Sequence, residues 1–274
     1  MPPVNAADLA SELLDAYAQR RLVPSPSSRE GGLDLATAYA TEAEIVRRRI
    51  ASGHRTVGLK VGFANKAAWR LLKLDTLVWA HMYDDTVQRA TGDQAQLAVG
   101  RLVSPKIEPE IVFGVKGTEA IAADAVAVLE TVEWMALGFE IIDCVYPDWQ
   151  FQPVDFVAAR GLHAGLVVGS PLAITDGNRA QVAEALPSFT VTLEKNGSAV
   201  ATGSGKNVLR SPALCLGELA SALARSSTRG PLRAGDLVSS GTLTESQPMG
   251  ANETWTARVE GLDLPALTLR TTRT

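Results

Sequence analysis

Two short runs place acids where a folded chain tolerates them least: Ile107-Glu108-Pro109-Glu110-Ile111-Val112-Phe113 and Gly138-Phe139-Glu140-Ile141-Ile142-Asp143. Both are rich in β-branched and aromatic residues, so both predict buried strands. Side chains on a strand alternate faces, which points Glu108 and Glu110 the same way. Glu140 interrupts an apolar run, where a carboxylate without a partner is costly. Two readings follow. Glu-x-Glu on a strand commonly marks the solvent face of an antiparallel sheet. The alternative is a hard divalent cation, which prefers oxygen ligands and cancels the repulsion among three carboxylates. The flanking Ile107, Ile111, Val112 and Phe113 weigh against a solvent face, but the pattern alone leaves both readings open.

The rest of the chain sets the frame. Its 274 residues are enough to bury a full core, as one large domain or a domain with a cap. A net charge of −4 gives no electrostatic footprint for nucleic acid. Cys144 and Cys215, the two cysteines, lie in apolar surroundings and read as small core residues. They are too few for a disulfide framework or a zinc spacing, which fits a reducing cytoplasm. Met1-Pro2-Pro3-Val4-Asn5 lacks a basic region followed by an apolar run, and no uninterrupted apolar segment is long enough to span a membrane. Neither a signal peptide nor membrane insertion is therefore expected.

Along the chain, Ala6–Arg21 predicts a helix capped by Asn5, and Asp34–Ala51 a second, with a Pro/Ser/Gly-rich loop between them. This helical start, residues 1–54, reads as a cap or lid over a strand-rich domain of residues 55–274. Thr56–Gly62 predicts a strand with Lys60 set between Leu59 and Val61. Lys60 reads either as an edge or snorkelling lysine or as a fixed cation and proton donor. Asn65–Leu72 predicts a short helix, Thr91–Gly100 a connection, Ala122–Ala136 a helix, and Val154–Ala159 and His163–Val168 short strands. Arg160 and His163 are candidates for a substrate carboxylate or for a neighbouring carbonyl. His81 reads as a structural histidine before a site residue. Asn196-Gly197 marks a hairpin. Gly203-Ser204-Gly205-Lys206 lacks the spacing of a nucleotide-phosphate loop. The strand ending Ser239-Ser240-Gly241-Thr242 offers hydroxyl and amide donors, with Ser240 and Thr242 as candidate substrate contacts.

These pieces, in this order, resemble the fumarylacetoacetate hydrolase superfamily, and within it the branch of 2-keto-4-pentenoate hydratases and 4-oxalocrotonate decarboxylases. The resemblance runs from about Thr56 to Thr271. It is carried by Lys60-Val61-Gly62, Pro105-Lys106-Ile107-Glu108-Pro109-Glu110, Phe139-Glu140-Ile141-Ile142-Asp143, Gly203-Ser204-Gly205-Lys206-Asn207, Gly235-Asp236 and Ser240-Gly241-Thr242. It implies an α+β, mostly β fold, a distorted roll or barrel with flanking helices. It also implies Mg2+ or Mn2+ on Glu108, Glu110 and Glu140, and a 2-keto acid substrate from aromatic-compound catabolism, met by Lys60. A cytoplasmic homo-oligomer, associating with a pathway decarboxylase or hydratase, belongs to the same expectation. Val78 stands where hydratases of this group carry an Asp, Ala159–His163 replaces an Asp-Asn-Ala-Ser-like stretch, and Arg210-Ser211-Pro212 stands for Gly-His-Pro. The implied activity is a metal-dependent hydratase on an unsaturated 2-keto acid, with decarboxylation of a 2-keto dioate second. An acylpyruvate hydrolase ranks third, since no His–Glu pair is evident near the N-terminal loop, and a non-catalytic partner subunit comes last.

Overall fold

The computed structural model describes residues 4–117 and 124–274. Helices α1 (Ala6–Ala18) and α2 (Leu35–Ala51) come first. Asn5 caps α1 by accepting from the amides of Ala7 and Asp8, and Asp34 caps α2 by accepting from Thr37. Strand β1 (Thr56–Gly62), helix α3 (Lys66–Leu72) and strands β2 (Val78–Tyr83), β3 (Val87–Arg89) and β4 (Gln94–Ala98) lead to the long strand β5 (Pro105–Val115). Helix α4 (Ala125–Glu130), strand β6 (Val132–Asp143), helix α5 (Pro153–Ala158), strands β7 (His163–Val168) and β8 (Leu172–Ala173), and helix α6 (Arg179–Ala185) follow. The chain closes with β9 (Thr190–Lys195), β10 (Ser198–Ser204), α7 (Pro212–Ala224), β11 (Leu237–Thr242), β12 (Gln247–Pro248), β13 (Thr254–Glu260) and β14 (Leu267–Thr272).

Two sheets result. The larger runs β2-β1-β11-β5-β6-β7-β3, with β12 paired to β5 and β8 to β6. The smaller runs β10-β9-β13-β14-β4, its β9–β10 hairpin turning at Asn196 and Gly197, both at positive φ. This mix of helix with a half-barrel and a second sheet agrees with the expected mostly β, α+β roll. Alternation along β5 and β6 separates two faces. Ile107, Ile111, Phe113, Phe139 and Ile141 enter the main core with Leu216 and Leu219 of α7 and with Trp255 and Leu269 of the smaller sheet. The intervening residues, Lys106, Glu108, Glu110, Glu140 and Ile142, take the other face. Leu9, Leu13 and Val23 of the first helical segment share a second cluster with Val145, Tyr146 and Phe156. Asp155, fully buried, fastens that segment by accepting from the amide and hydroxyl of Ser27.

Three local expectations need correction. The helix read over Ala122–Ala136 is confined to Ala125–Glu130, and from Val132 the chain is strand; Ala122 and Ala123 lie outside the described residues. Antiparallel pairing with β5, from Pro105 opposite Asp143 to Val115 opposite Val132, outweighs the helical reading of the apolar residues there. Val154–Ala159, read as a strand, is helix through Ala158 with Ala159 as its C-cap, because Pro153 opens the first turn and Asp155 accepts from the Gln152 amide. Thr91–Gly100 contains β4, an edge strand whose alternating exposure hides it among polar residues.

Candidate active site

The neighbouring strands β1, β11, β5, β6 and β7 each bring a polar residue to the same region: Lys60, Ser239, Glu108 with Glu110, Glu140, and His163. Pairing fixes the arrangement. Glu108 lies directly opposite Glu140 across β5 and β6, and Lys60 lies beside Ser239 across β1 and β11. The carboxylates of Glu108, Glu110 and Glu140 each offer an oxygen, and these oxygens lie within 4.8 Å of one another. At an effective dielectric near 20, each ionised pair at that separation costs about 3 kcal/mol. Glu110 and Glu140 are buried, and Glu108 is partly open to a cavity.

The surroundings decide what these acids do. Glu110 accepts from the Ser239 hydroxyl at 2.6 Å and from the Gly241 amide at 2.8 Å. That amide is aimed by an irregularity in the pairing of β11 with β5 between Ser239 and Thr242, where Gly241 takes φ +108°. A side chain at this φ is strained, and a Cβ would sit 3.1 Å from that of Ala64. Gly241→Ala is expected to lower stability by about 1–3 kcal/mol and to weaken cation binding, read from urea midpoints with and without Mg2+. His163 meets Glu140 through Nδ1 at 3.1 Å and Thr86 through Nε2 at 2.9 Å. Burial, helped by the charge of Lys60, pushes the imidazole well below its ordinary pKa. The neutral ring bridges Thr86 and Glu140 through its two nitrogens, and this orients the carboxylate.

Lys60, almost fully buried, has its Nζ 3.0 Å from Glu140 Oε2 and donates to the Gly161 carbonyl at 3.0 Å. Gly161 belongs to a run of three left-handed residues, Arg160, Gly161 and Leu162, that turns this carbonyl toward the lysine. A Cβ on Gly161 would meet the Lys60 stem at 2.7 Å. Glu140 Oε2 is close enough for charge pairing but has no aligned hydrogen-bond donor. An orphaned buried oxygen beside two more carboxylates is the donor set a hard dication takes, so the residues present fit Mg2+ or Mn2+.

Without a cation the acids resist ionisation. Burial pushes Glu108 and Glu110 up to about 8, opposed by Lys60 and reinforced by repulsion from Glu140 on both and from Glu110 on Glu108, and burial raises Glu140 as well. Because the folded values lie above the unfolded 4.5, the native state binds more protons between the two. Metal-free protein should therefore lose stability as pH rises from about 4.5 through about 8. Added Mg2+ should restore most at the alkaline end, where fewer protons must be displaced. Melting curves at stepped pH, with chelator or with Mg2+, check the sign.

The cavity beside this cluster measures about 590 Å3, and Lys60, Glu108, Glu110 and Thr242 line it. The other candidates stand back. Ser240 is buried behind the wall, its hydroxyl without a hydrogen-bond partner and its carbonyl accepting from Cys215. The Arg160 guanidinium stacks 4.4 Å over the ring of Tyr17, away from the lining. His163 reaches Glu140 instead of the cavity. The sequence reading passed over Ser239 and the Gly241 amide in favour of their neighbours, although strand alternation sets Ser239 and Ser240 on opposite faces. A His–Glu pair, not evident from the sequence, does form: His81 Nδ1 lies 2.8 Å from Glu42. His81 pairs with Leu59, not Lys60, so it takes the opposite face of β1–β2 from the cavity.

Fold and site together define a protein of the fumarylacetoacetate-hydrolase-like architecture with a three-carboxylate centre. A comparison with models of known families finds no match. The chain is 30% identical to the 2-hydroxypent-2,4-dienoate hydratase of Pseudomonas putida over 220 residues, 79% of this chain and 94% of that protein. It is 29% identical to the 4-oxalocrotonate decarboxylase of Pseudomonas sp. strain CF600 over 256 residues, 93% and 92% of the two chains. A solved 4-oxalocrotonate decarboxylase from Pseudomonas putida G7, complexed with magnesium and adipate, superposes with a TM-score of 0.86. It is 24% identical, and the match covers 98% of this chain and 100% of that one. The chain belongs to the family of 2-keto-4-pentenoate hydratases and 4-oxalocrotonate decarboxylases, within the fumarylacetoacetate hydrolase superfamily.

Proposed function

We propose that this chain is a divalent-metal-dependent lyase that hydrates an unsaturated 2-oxo acid or its 2-hydroxydienoate form, such as 2-hydroxypenta-2,4-dienoate. The observation that carries the reading is the convergence of Glu108, Glu110 and Glu140 beside a buried Lys60 at the wall of one cavity. Those three carboxylates would hold Mg2+ or Mn2+, and the relatives' names supply the substrate class. A dication bound there supplies Lewis acidity toward the keto oxygen of a 2-oxo acid. The protein's own groups do the rest. Lys60 donates one N–H to Gly161 and holds its charge beside Glu140, which leaves N–H groups for the substrate carbon next to the keto group. Phe156, 4.7 Å from Nζ, and Leu162 keep bulk water from that proton. His163 and Ser239 hold two of the acids in register.

Decarboxylation of a 2-oxo dioate is the second reading, favoured by one observation. Val78, opposite Gly62 in β2, is buried and apolar, so that position supplies no acid to activate water. We further propose that residues 1–54 act as a cap and that the chain works as a cytoplasmic homo-oligomer. Among the described residues, no helix is long and apolar enough to cross a membrane.

The test is a panel of 2-hydroxydienoates and 2-oxo dioates followed by absorbance, with and without Mg2+ or Mn2+, and CO2 release scored in parallel. Metal-dependent loss of a dienoate without CO2 supports hydration, and CO2 release supports the second reading. No turnover anywhere, with no deuterium uptake beside the keto group of a model 2-oxo acid, rejects both and leaves a binding subunit.

A further inference from the structure

The larger sheet ends at β2, and among the described residues no strand pairs with its outer edge. Helix α2 stands in for the missing strand. Tyr39 Oη accepts from the Trp79 amide at 3.3 Å, and Glu42 accepts from the His81 amide at 3.0 Å. Beside this contact a second cavity of about 530 Å3 opens between α2, the turn after α3 and the C-terminal end of α7. It shares no lining residue with the cavity at the three carboxylates.

Its chemistry is that of an amphipathic anion site. Leu35, Leu74 and Leu77 give it apolar lining, and the Tyr39 ring, braced 4.8 Å from that of Trp79, adds an aromatic wall. Tyr39 accepts from a main-chain amide, yet its own O–H meets no acceptor among the described residues. Burial pushes that phenol above its ordinary pKa, so it stays a donor. Two cations line the cavity, Lys73 and Arg225. Arg225 lies 3.9 Å from Glu218, which also accepts from Thr76, whereas no carboxylate pairs with Lys73 among the described residues. Lys73 also ends α3 in the left-handed region, at φ 55° and ψ 41°. Glycine adopts that conformation without strain, and a lysine does not. What the lysine adds there is an ammonium in the cavity wall. One unpaired ammonium suits one carboxylate, and Asp75, the one acid in the lining, disfavours a second.

We propose that this second cavity binds an aryl monocarboxylate, with its ring between α2 and the Leu74–Leu77 turn and its carboxylate on Lys73. The site does not depend on the metal reading. Its walls belong to both the helical start and the strand domain, so an occupant ties the two together. It also lies one strand from the reaction cavity, since Ala80 of β2 is the direct partner of Lys60.

Calorimetry of the Mg2+-loaded protein with benzoate, repeated under saturating oxalate to occupy the metal centre, tests the site. Benzoate should bind equally well in both cases and raise the melting temperature, and benzyl alcohol, which lacks the charge, should bind more weakly. Lys73→Gln should weaken benzoate about five- to tenfold, the worth of one partly screened charge-assisted hydrogen bond. Lys73→Gly should weaken it as much while melting at or above the wild-type temperature, because the backbone strain is relieved. Lys66→Gln, at the other end of α3, should change nothing. Displacement of benzoate by oxalate, equal binding of benzyl alcohol, or unchanged affinity in Lys73→Gln would overturn the proposal. So would a lowered melting temperature in Lys73→Gly, which would make the lysine a support for the helix end, and so would no benzoate binding at all.

Discussion

Replacing Glu140 by Gln is expected to abolish divalent-cation binding and turnover together. Glu140 is the most enclosed of the three acids, and its Oε2 has a charge partner but no aligned donor. The amide would present a weaker ligand to the cation. It would also leave Lys60 as a buried ammonium without its counter-charge, a defect worth about 3 kcal/mol or more. Cation affinity should fall by over a hundredfold. Titration with Mg2+ or Mn2+ reads this directly, and the Mg2+-dependent rise in melting temperature should vanish with it. Full turnover by a metal-stripped Glu108→Gln/Glu140→Gln protein would refute the centre altogether.

Lys60→Met separates proton handling from cation binding, and the two effects should have opposite signs. Loss of the ammonium removes the group facing the substrate, so turnover and solvent deuterium exchange should drop about 10²- to 10⁴-fold. The three carboxylates meanwhile lose the positive charge that tempers their repulsion, so a dication becomes their remaining compensation. Cation affinity should hold or increase. A parallel loss of affinity and turnover would mean that Lys60 shapes the centre instead of serving the reaction.

What the sequence made legible follows from how far each interaction reaches. Strand alternation is local, so the common face of Glu108 and Glu110 was readable, and Glu140 betrayed itself as an acid among Phe139, Ile141 and Ile142. The cap at Asn5 was readable for the same reason, while Asp34 and Asn65, read as the starts of their helices, prove to be caps. The start of β6 was not, because Val132–Ala136 is strand through pairing with β5, a partner whose identity no short window contains. His163 was named for the wrong neighbour: its tie to Glu140 runs across two strands that meet only in the sheet. Ser240 and Thr242 were chosen from a turn where Thr242 does line the cavity, whereas an irregular pairing gives the contacts to Glu110 to Ser239 and the Gly241 main chain.

The β5–β6 ladder has a consequence for how this centre comes into being. Glu108 faces Glu140 because of strand register alone, with no loop needing to close afterwards. Inserting a single residue into either strand upstream of the acids would turn one of them toward the apolar interior, erasing catalysis while sparing much of the backbone. Crowding of the acids is thus built in when the two strands zip, so the metal-free chain keeps protons on them that an arriving cation would displace.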